Sequence, residues 1–220
     1  MNLRERPIAS ITLIAGRLCL DFVNTVGGRQ SISPPDPLAA MVYQVTDDKF
    51  ADYLDLLAWS LLTGILTEPE AAQLAHLAEQ HPVEAASVKE RAIVLREVIY
   101  RLSLAIIHQT EPQPNDLECL NQEVARGYSH LKITHHPPHT FAWGWNGDVT
   151  ALDQMLWRIA DSAAELFTGG ELTRIRQCGG EGCGWLFEDT SRNSRRQWCD
   201  MQTCGNLAKV RRFRSRKRTS

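Results

Sequence analysis

Apolar residues recur at helical spacing through most of the chain. Phe50, Tyr53, Leu54, Leu57 and Leu61 share one face until Gly64, which predicts a helix over that stretch. Thr67 and Glu70 form a capping-box pattern ahead of a second helix carrying Leu74 and Leu77. The clearest period is that of Val88, Ala92, Leu95, Ile99, Leu102 and Ile106, alternately four and three apart, which predicts a helix from Glu84 to His108. Such a seam must be covered, and core packing is favoured over a coiled coil, although the same seam offers a route to a homodimer. Asn115 and Glu118 repeat the capping-box pattern before Leu117, Leu120 and Val124. Thr150 and Asp153 are expected to cap a last core helix with Leu152, Met155, Leu156, Ile159, Ala163 and Leu166, which Gly169 and Gly170 end.

Three stretches depart from that rhythm. ASITLIAG (9–16) is short, rich in isoleucine and threonine, and predicts a strand. LCLDFVNTVGG (18–28) fits a strand or a short helix stopped by Gly27 and Gly28, and the prolines of SISPPDP (31–37) impose a loop. HLKITHHPPHTFAWGWNG (130–147) reads as two strands about a Pro-Pro turn, a small hairpin. The predicted class is therefore α+β: a mostly helical body over 1–170 with a small antiparallel sheet, then a distinct region over 171–220.

That last region contains CGGEGC (178–183) and CDMQTC (199–204), two C-x4-C pairs separated by fifteen residues. Close cysteine pairs let one tight turn place two thiolates on the same ion, and four thiolates suit tetrahedral zinc. Gly179, Gly180, Gly182 and Gly184 permit the turn and let backbone N–H groups face the sulfurs. The spacer reads as a hairpin: GWLFED, a turn at SRNS, then RRQW. The residues after Cys204 read as a helix whose first turn carries the last ligand. Knuckle, hairpin and ligand-bearing helix make a treble-clef-like module. One structural Zn2+ on Cys178, Cys183, Cys199 and Cys204 is expected, because protein fills all four positions and leaves none for a substrate. Two disulfides or a redox pair fit poorly with a reducing compartment, and a hairpin-sized spacer favours zinc over an iron–sulfur cluster.

Charge sharpens the division. Residues 1–173 carry 12 Lys+Arg against 22 Asp+Glu, whereas residues 174–220 carry 12 against 4. Arg192, Arg195 and Arg196 surround the predicted turn, and Lys209, Arg211, Arg212, Arg214, Arg216, Lys217 and Arg218 crowd the predicted helix. Guanidinium forks fit phosphate, so DNA is the expected partner. A solvated tail, or a clamp of this basic segment onto the acidic body, is the competing reading. No apolar run approaches the length of a membrane span, and the N-terminal stretch lacks a clean cleavage site, so a cytoplasmic protein without a membrane partner is expected.

The block RIRQC…CGWLFEDTSRNSRRQWC…CGN…KVRRFRSRK resembles the CGNR zinc-finger family of bacterial proteins. GRLCLDFVNT (16–25) and IADSAAELF (159–167) resemble the opening motif and last helix of the ABATE domain that precedes that finger. The resemblance implies a bacterial stress-linked transcription regulator. One position departs from the signature: Leu207 stands where the family has arginine, which puts a DNA contact, not zinc ligation, in question.

The body shows no Walker loop, nucleophile elbow or H-E-x-x-H motif, so catalysis is not expected. His135, His136 and His139 are better explained by a polar hairpin turn than by metal, and Cys19 and Cys119 read as buried thiols. Arg17, Asp21 and Asn24 are polar residues in a core-like run. Either they bond to backbone as braces, the favoured reading, or they line a small-molecule site. The leading expectation is a DNA-binding regulator whose body senses an effector or a partner. The alternative is an enzyme or small-molecule-binding domain centred on Arg17, Asp21 and Asn24, with the zinc module serving protein interaction or dimerisation.

Overall fold

The computed structural model describes residues 2–31, 43–145 and 151–218. Among these residues seven α-helices carry the fold: α1 (Leu18–Val23), α2 (Tyr53–Leu62), α3 (Glu68–Gln80), α4 (Pro82–His108), α5 (Pro114–Tyr128), α6 (Gln154–Gly169) and α7 (Asn206–Arg218). Among the described residues eight short strands pair in antiparallel twos: β1 (Val26–Gly27) with β4 (Asp47–Asp48), β2 (Gln30–Ser31) with β3 (Tyr43–Gln44), β5 (Leu131–His136) with β6 (Thr140–Trp145), and β7 (Ile175–Gln177) with β8 (Leu186–Glu188). The class is α+β, as the periodicity predicts.

Helix α4 is the axis of the body. It packs against α1, α2, α3, α5 and α6, and also against β7 of the cysteine region. Its seam of Val88, Ala92, Leu95, Ile99 and Leu102 is buried in the main core, with Ile106 packed on the edge. The heptad-like stripe is thus consumed inside the chain rather than presented to a second copy.

Local chemistry starts and stops these helices, not always at the expected residues. Thr67 and Glu70 do form the capping box of α3, the Thr67 N–H donating to Glu70 Oε2 at 2.7 Å. The box heading α2 had not been read from the sequence. There Asp52 accepts from the Leu54 and Asp55 N–H groups while Asp55 accepts from Ala51 and Asp52. Asn115 and Glu118 form no box: Pro114 begins α5, its fixed φ and missing N–H suiting the first helical position, and Gln113 is the cap residue. Asp153 stands before α6 without capping it, because its carboxylate is drawn to Arg91 at 2.9 Å. Thr150, the other half of that expected pair, lies outside the described residues.

The hairpin over 130–147 forms as read through Trp145, pairing Leu131 with Trp145 and His136 with Thr140; its last two residues lie outside the described ones. In the loop over 31–37, Ser31 ends β2 and the remaining six residues lie outside the described ones. The strand over 9–16 does not form. Pro7–Ser10 is a 3-10 turn, and the chain then runs extended without a ladder because its N–H groups are taken locally. Asp21 Oδ1 accepts from Ile14 and Ala15 at 2.9 and 3.0 Å, and Ala15 offers its carbonyl to Glu188 at 2.8 Å.

The cysteine region is built into the body's core rather than appended to it. Ile175 and Leu186 belong to the main cluster of buried side chains, and α1 packs on β8. Among the described residues no helix is long and apolar enough to cross a membrane.

Candidate metal centre and its basic flank

The knuckle begins where β7 ends. The Cys178 N–H donates to the Trp185 carbonyl at 2.8 Å, which reverses the chain so that 186–188 return alongside 175–177. The strand partner of LFE is therefore the segment before the knuckle, and RRQW (195–198) forms no strand, contrary to the hairpin read across the spacer. Reversal through the knuckle wins because it pairs β8 with β7 before the chain reaches RRQW. Gly184 makes the tight path possible: it has φ +71°, and a Cβ there would lie 2.5 Å from the Arg29 Cβ. At Gly180 a Cβ would approach the Cys204 sulfur to 3.0 Å.

The fifteen-residue spacer folds around a carboxylate instead. Asp189, wholly buried, accepts from the Ser191 N–H and hydroxyl and from the Arg196 N–H, at 2.9, 2.5 and 2.9 Å. Burial pushes its carboxyl upward, but these donors outweigh burial and hold it below the ordinary carboxylate range. The sequence cue for this hub is the D-x-S pattern of an Asx-type turn, which sits beside the SRNS stretch.

The chain then reaches Cys199 and a single π-type turn, Met201–Gly205, which runs directly into α7 and carries Cys204. Asp200 caps this unit, accepting from the Gln202 N–H at 3.0 Å and the Thr203 hydroxyl at 3.1 Å. The last ligand therefore does sit in the opening turn of the basic helix.

Knuckle and helix start bring the four sulfurs within 4.8 Å of one another. Cys199 Sγ lies 3.7 Å from Cys183 Sγ and 3.6 Å from Cys204 Sγ. Four sulfurs held at about 2.3 Å from a tetrahedral zinc stand about 3.8 Å apart, so the arrangement fits one zinc ion. All six cysteines are free thiols, which excludes the two-disulfide reading here. The charge of a tetrathiolate is met by N–H groups: Cys178 Sγ accepts from Cys199 at 3.2 Å and Gly180 at 3.4 Å. Without metal the sulfurs share protons. Hydrogen bonds from Cys183 and Cys199, with these N–H groups, pull the Cys178 thiol down to about 2. Cys183 is pushed up to about 12 and Cys199 is raised, each chiefly because its proton bonds to the Cys178 sulfur.

A small apolar shell closes around the centre: Phe187, fully buried, with Ile14, Trp185 and Trp198. Elsewhere, Cys19 is buried and pushed up to about 12 by that burial, an inert thiol, while Cys119 is only partly buried. Among the described residues the histidines of the hairpin join no metal cluster.

Arg17, Asp21 and Asn24 are placed at the seam between body and zinc module. Arg17 Nε pairs with Glu188 at 2.8 Å. The Asn24 amide pairs with Leu186 as a strand would, donating to its carbonyl at 2.8 Å and accepting from its N–H at 2.9 Å. Asp21 ties down Ile14 and Ala15, the segment lying over β8. Burial pushes the Asp21 carboxyl up against those two N–H groups. Further bonds cross the same seam: Trp185 Nε1 to the Val26 carbonyl at 2.8 Å, and Gln177 Nε2 to the Tyr100 hydroxyl at 2.9 Å. Arg29 stacks on Tyr100 at 4.0 Å and pairs with Glu97. Sequence reading missed Glu188, Gln177, Tyr100 and Arg29, since their partners lie far along the chain.

This seam yields a quantitative expectation. Asn24→Leu keeps the bulk but leaves the Leu186 N–H and carbonyl buried without partners, a loss of about 2–5 kcal/mol. Urea denaturation of the zinc-loaded protein measures it; unchanged stability would show that the seam does not hold the module.

The ten expected phosphate-binding cations do not behave alike. Arg196 is half-buried and already engaged: it donates to the Ile14, Trp198 and Cys199 carbonyls and stacks over Phe187 at 4.3 Å. Arg192, Arg195, Lys209, Arg211, Arg212, Arg214 and Lys217 are exposed. Arg211 pairs with Glu181 of the knuckle at 2.5 Å, and Lys217 lies over Phe213 at 5.1 Å. The side chains of Arg216 and Arg218 lie outside the described residues. Leu207, in the signature's arginine position, is 58% exposed, so it braces nothing inside the fold. The described cations of α7 face solvent, a setting that a solvated tail shares with a phosphate-binding face.

A four-sulfur centre set in a knuckle and the first turn of a basic helix defines a zinc-finger protein with one structural zinc ion. The ABATE family model, described as "Putative stress-induced transcription regulator", matches residues 16–170, and the CGNR zinc finger model matches residues 174–217. The chain belongs to the ABATE family and ends in a CGNR zinc finger. No curated protein matches it.

Proposed function

We propose that this protein is a transcription regulator that binds DNA through α7 and the neighbouring arginines, with the helical body as its sensing part. The observation that carries the reading is the setting of α7: its described cations are exposed, yet the π-type turn that leads directly into it is fixed to the metal centre through Cys204. A rigid, solvent-facing row of guanidinium and ammonium groups presents charge to phosphate at low entropic cost. Cations at the C-terminal end of a helix are further favoured by its dipole, which helps keep so basic a helix folded. The zinc ion supplies no chemistry here beyond holding this scaffold.

Arg17, Asp21 and Asn24 serve in this reading as braces between body and finger, so no catalytic role is assigned to them. The test is fluorescence anisotropy with duplex DNA, comparing the wild type with an R212E/R214E double variant. Both positions are exposed, so zinc content and melting temperature stay unchanged while affinity falls at least about tenfold, since each exchange replaces a phosphate contact by repulsion. Equal affinity of the two proteins would defeat the reading.

A further inference from the structure

Helices α4, α5 and α6 do not close completely on one another. A cavity of about 520 Å³ opens between them, in the size range of small-molecule sites. Its walls include Leu102 and Leu120, which are otherwise 4% and 5% exposed, so it reaches into the core rather than lying as a flat face. Val124 and Phe167 complete the apolar walls, while Gln109 and Asn121 bring neutral polar groups to the lining. No Asp, Glu, Lys or Arg lines it among the described residues. In an acidic body with 22 carboxylates over residues 1–173, a charge-free cavity of this size stands apart.

We infer that this cavity is the site at which the body takes a small, uncharged, mostly apolar molecule carrying one or two hydrogen-bonding groups. Water against such walls finds few partners, so an apolar ligand that displaces it gains affinity, and the neutral amides orient the ligand. A charged ligand would be desolvated with no counter-charge to meet it. The cavity is also well placed. Its wall helix α6 leads through Gly170 and β7 into Cys178, and α4 carries Tyr100 one turn or less from Leu102, with the Tyr100 hydroxyl bonded to Gln177. The inference rests on the sensing half of the proposed function and is independent of the DNA half.

The test is titration of the full-length, zinc-loaded protein with N-phenyl-1-naphthylamine, a neutral apolar dye that brightens in dry sites. Saturable binding of one dye per chain is expected. Ala164→Phe fills the cavity from α6, and Asn121→Trp covers its mouth from an exposed position on α5. Each weakens dye binding more than about tenfold by steric exclusion. Phe141→Ser, on the exposed face of the β5–β6 hairpin, leaves binding unchanged. Zinc content and melting temperature confirm the fold, and Asn121→Trp decides alone if Ala164→Phe does not fold. Absence of saturable binding overturns the inference. Undiminished binding by the blocked variants, or loss in Phe141→Ser, places the dye elsewhere and overturns the cavity while leaving a sensing body in place.

Discussion

Replacing Cys199 by serine is expected to take the protein from one bound zinc to none and to lower its melting temperature by more than about 10 °C. Cys199 is 3% exposed and its sulfur is the near neighbour of two other ligands, so a hydroxyl there leaves three sulfurs around a position that zinc binds poorly. Structural zinc in isolated fingers is worth roughly 10–16 kcal/mol at neutral pH, and losing even about 5 kcal/mol shifts a protein of this size by 10–20 °C. Most of the main core is supplied by the helices of the body, with only Ile175 and Leu186 coming from the cysteine region, so most of the far-UV ellipticity should survive while the finger opens. The sign of the pH dependence follows from the raised thiols of Cys183 and Cys199. Zinc must displace those protons, so its apparent affinity rises with pH and falls as the solution is acidified. Native mass spectrometry, calorimetry and a chelator competition at two pH values measure all three. A C199S protein that keeps its zinc and its melting temperature would remove the metal centre as the organiser of the finger.

The second large effect is the response of DNA affinity to salt. Arg192, Arg195, Lys209, Arg212, Arg214 and Lys217 are exposed, whereas Arg196 is committed to carbonyls and Arg211 to Glu181. If those six neutralise one phosphate each, a log–log plot of affinity against salt has a slope of about −5, and affinity falls about 10³-fold between 50 and 200 mM. A slope near zero excludes the phosphate mechanism. An R196A variant separates the two kinds of arginine: the slope is kept, while stability falls through three orphaned carbonyls and the exposed face of Phe187.

Much of the fold was legible because its signals are local. The four-three spacing from Val88 to Ile106 marked α4, the Thr67–Glu70 box marked α3, and the C-x4-C pairs marked the zinc centre, since one turn of chain decides each. Failures came where a local signal met a distant competitor. Residues 9–16 have the composition of a strand, but Asp21 and Glu188 take their hydrogen bonds. RRQW has no strand partner because the knuckle delivers β8 to β7 first. Asp153 reads as a cap and serves Arg91 instead. Arg196 looks like its neighbours in sequence and differs only because Phe187 and three carbonyls fold beneath it.

What the sequence by itself determined was therefore the inventory: helices of set length, four thiolates in two close pairs, and a basic segment following an acidic body. Periodicity, ligand spacing and charge are written in neighbouring residues, and no partner is needed to read them. Tertiary structure decided which polar groups stay free. It spent Arg17, Asp21 and Asn24 on the seam, engaged Arg196, left α7 in solvent, and opened a neutral cavity between three helices. Those outcomes depend on which surfaces meet in the folded chain, from Asp21 and its neighbours Ile14 and Ala15 to Arg17 and Glu188, 171 residues apart, where burial makes an unsatisfied polar group costly and draws these side chains to partners.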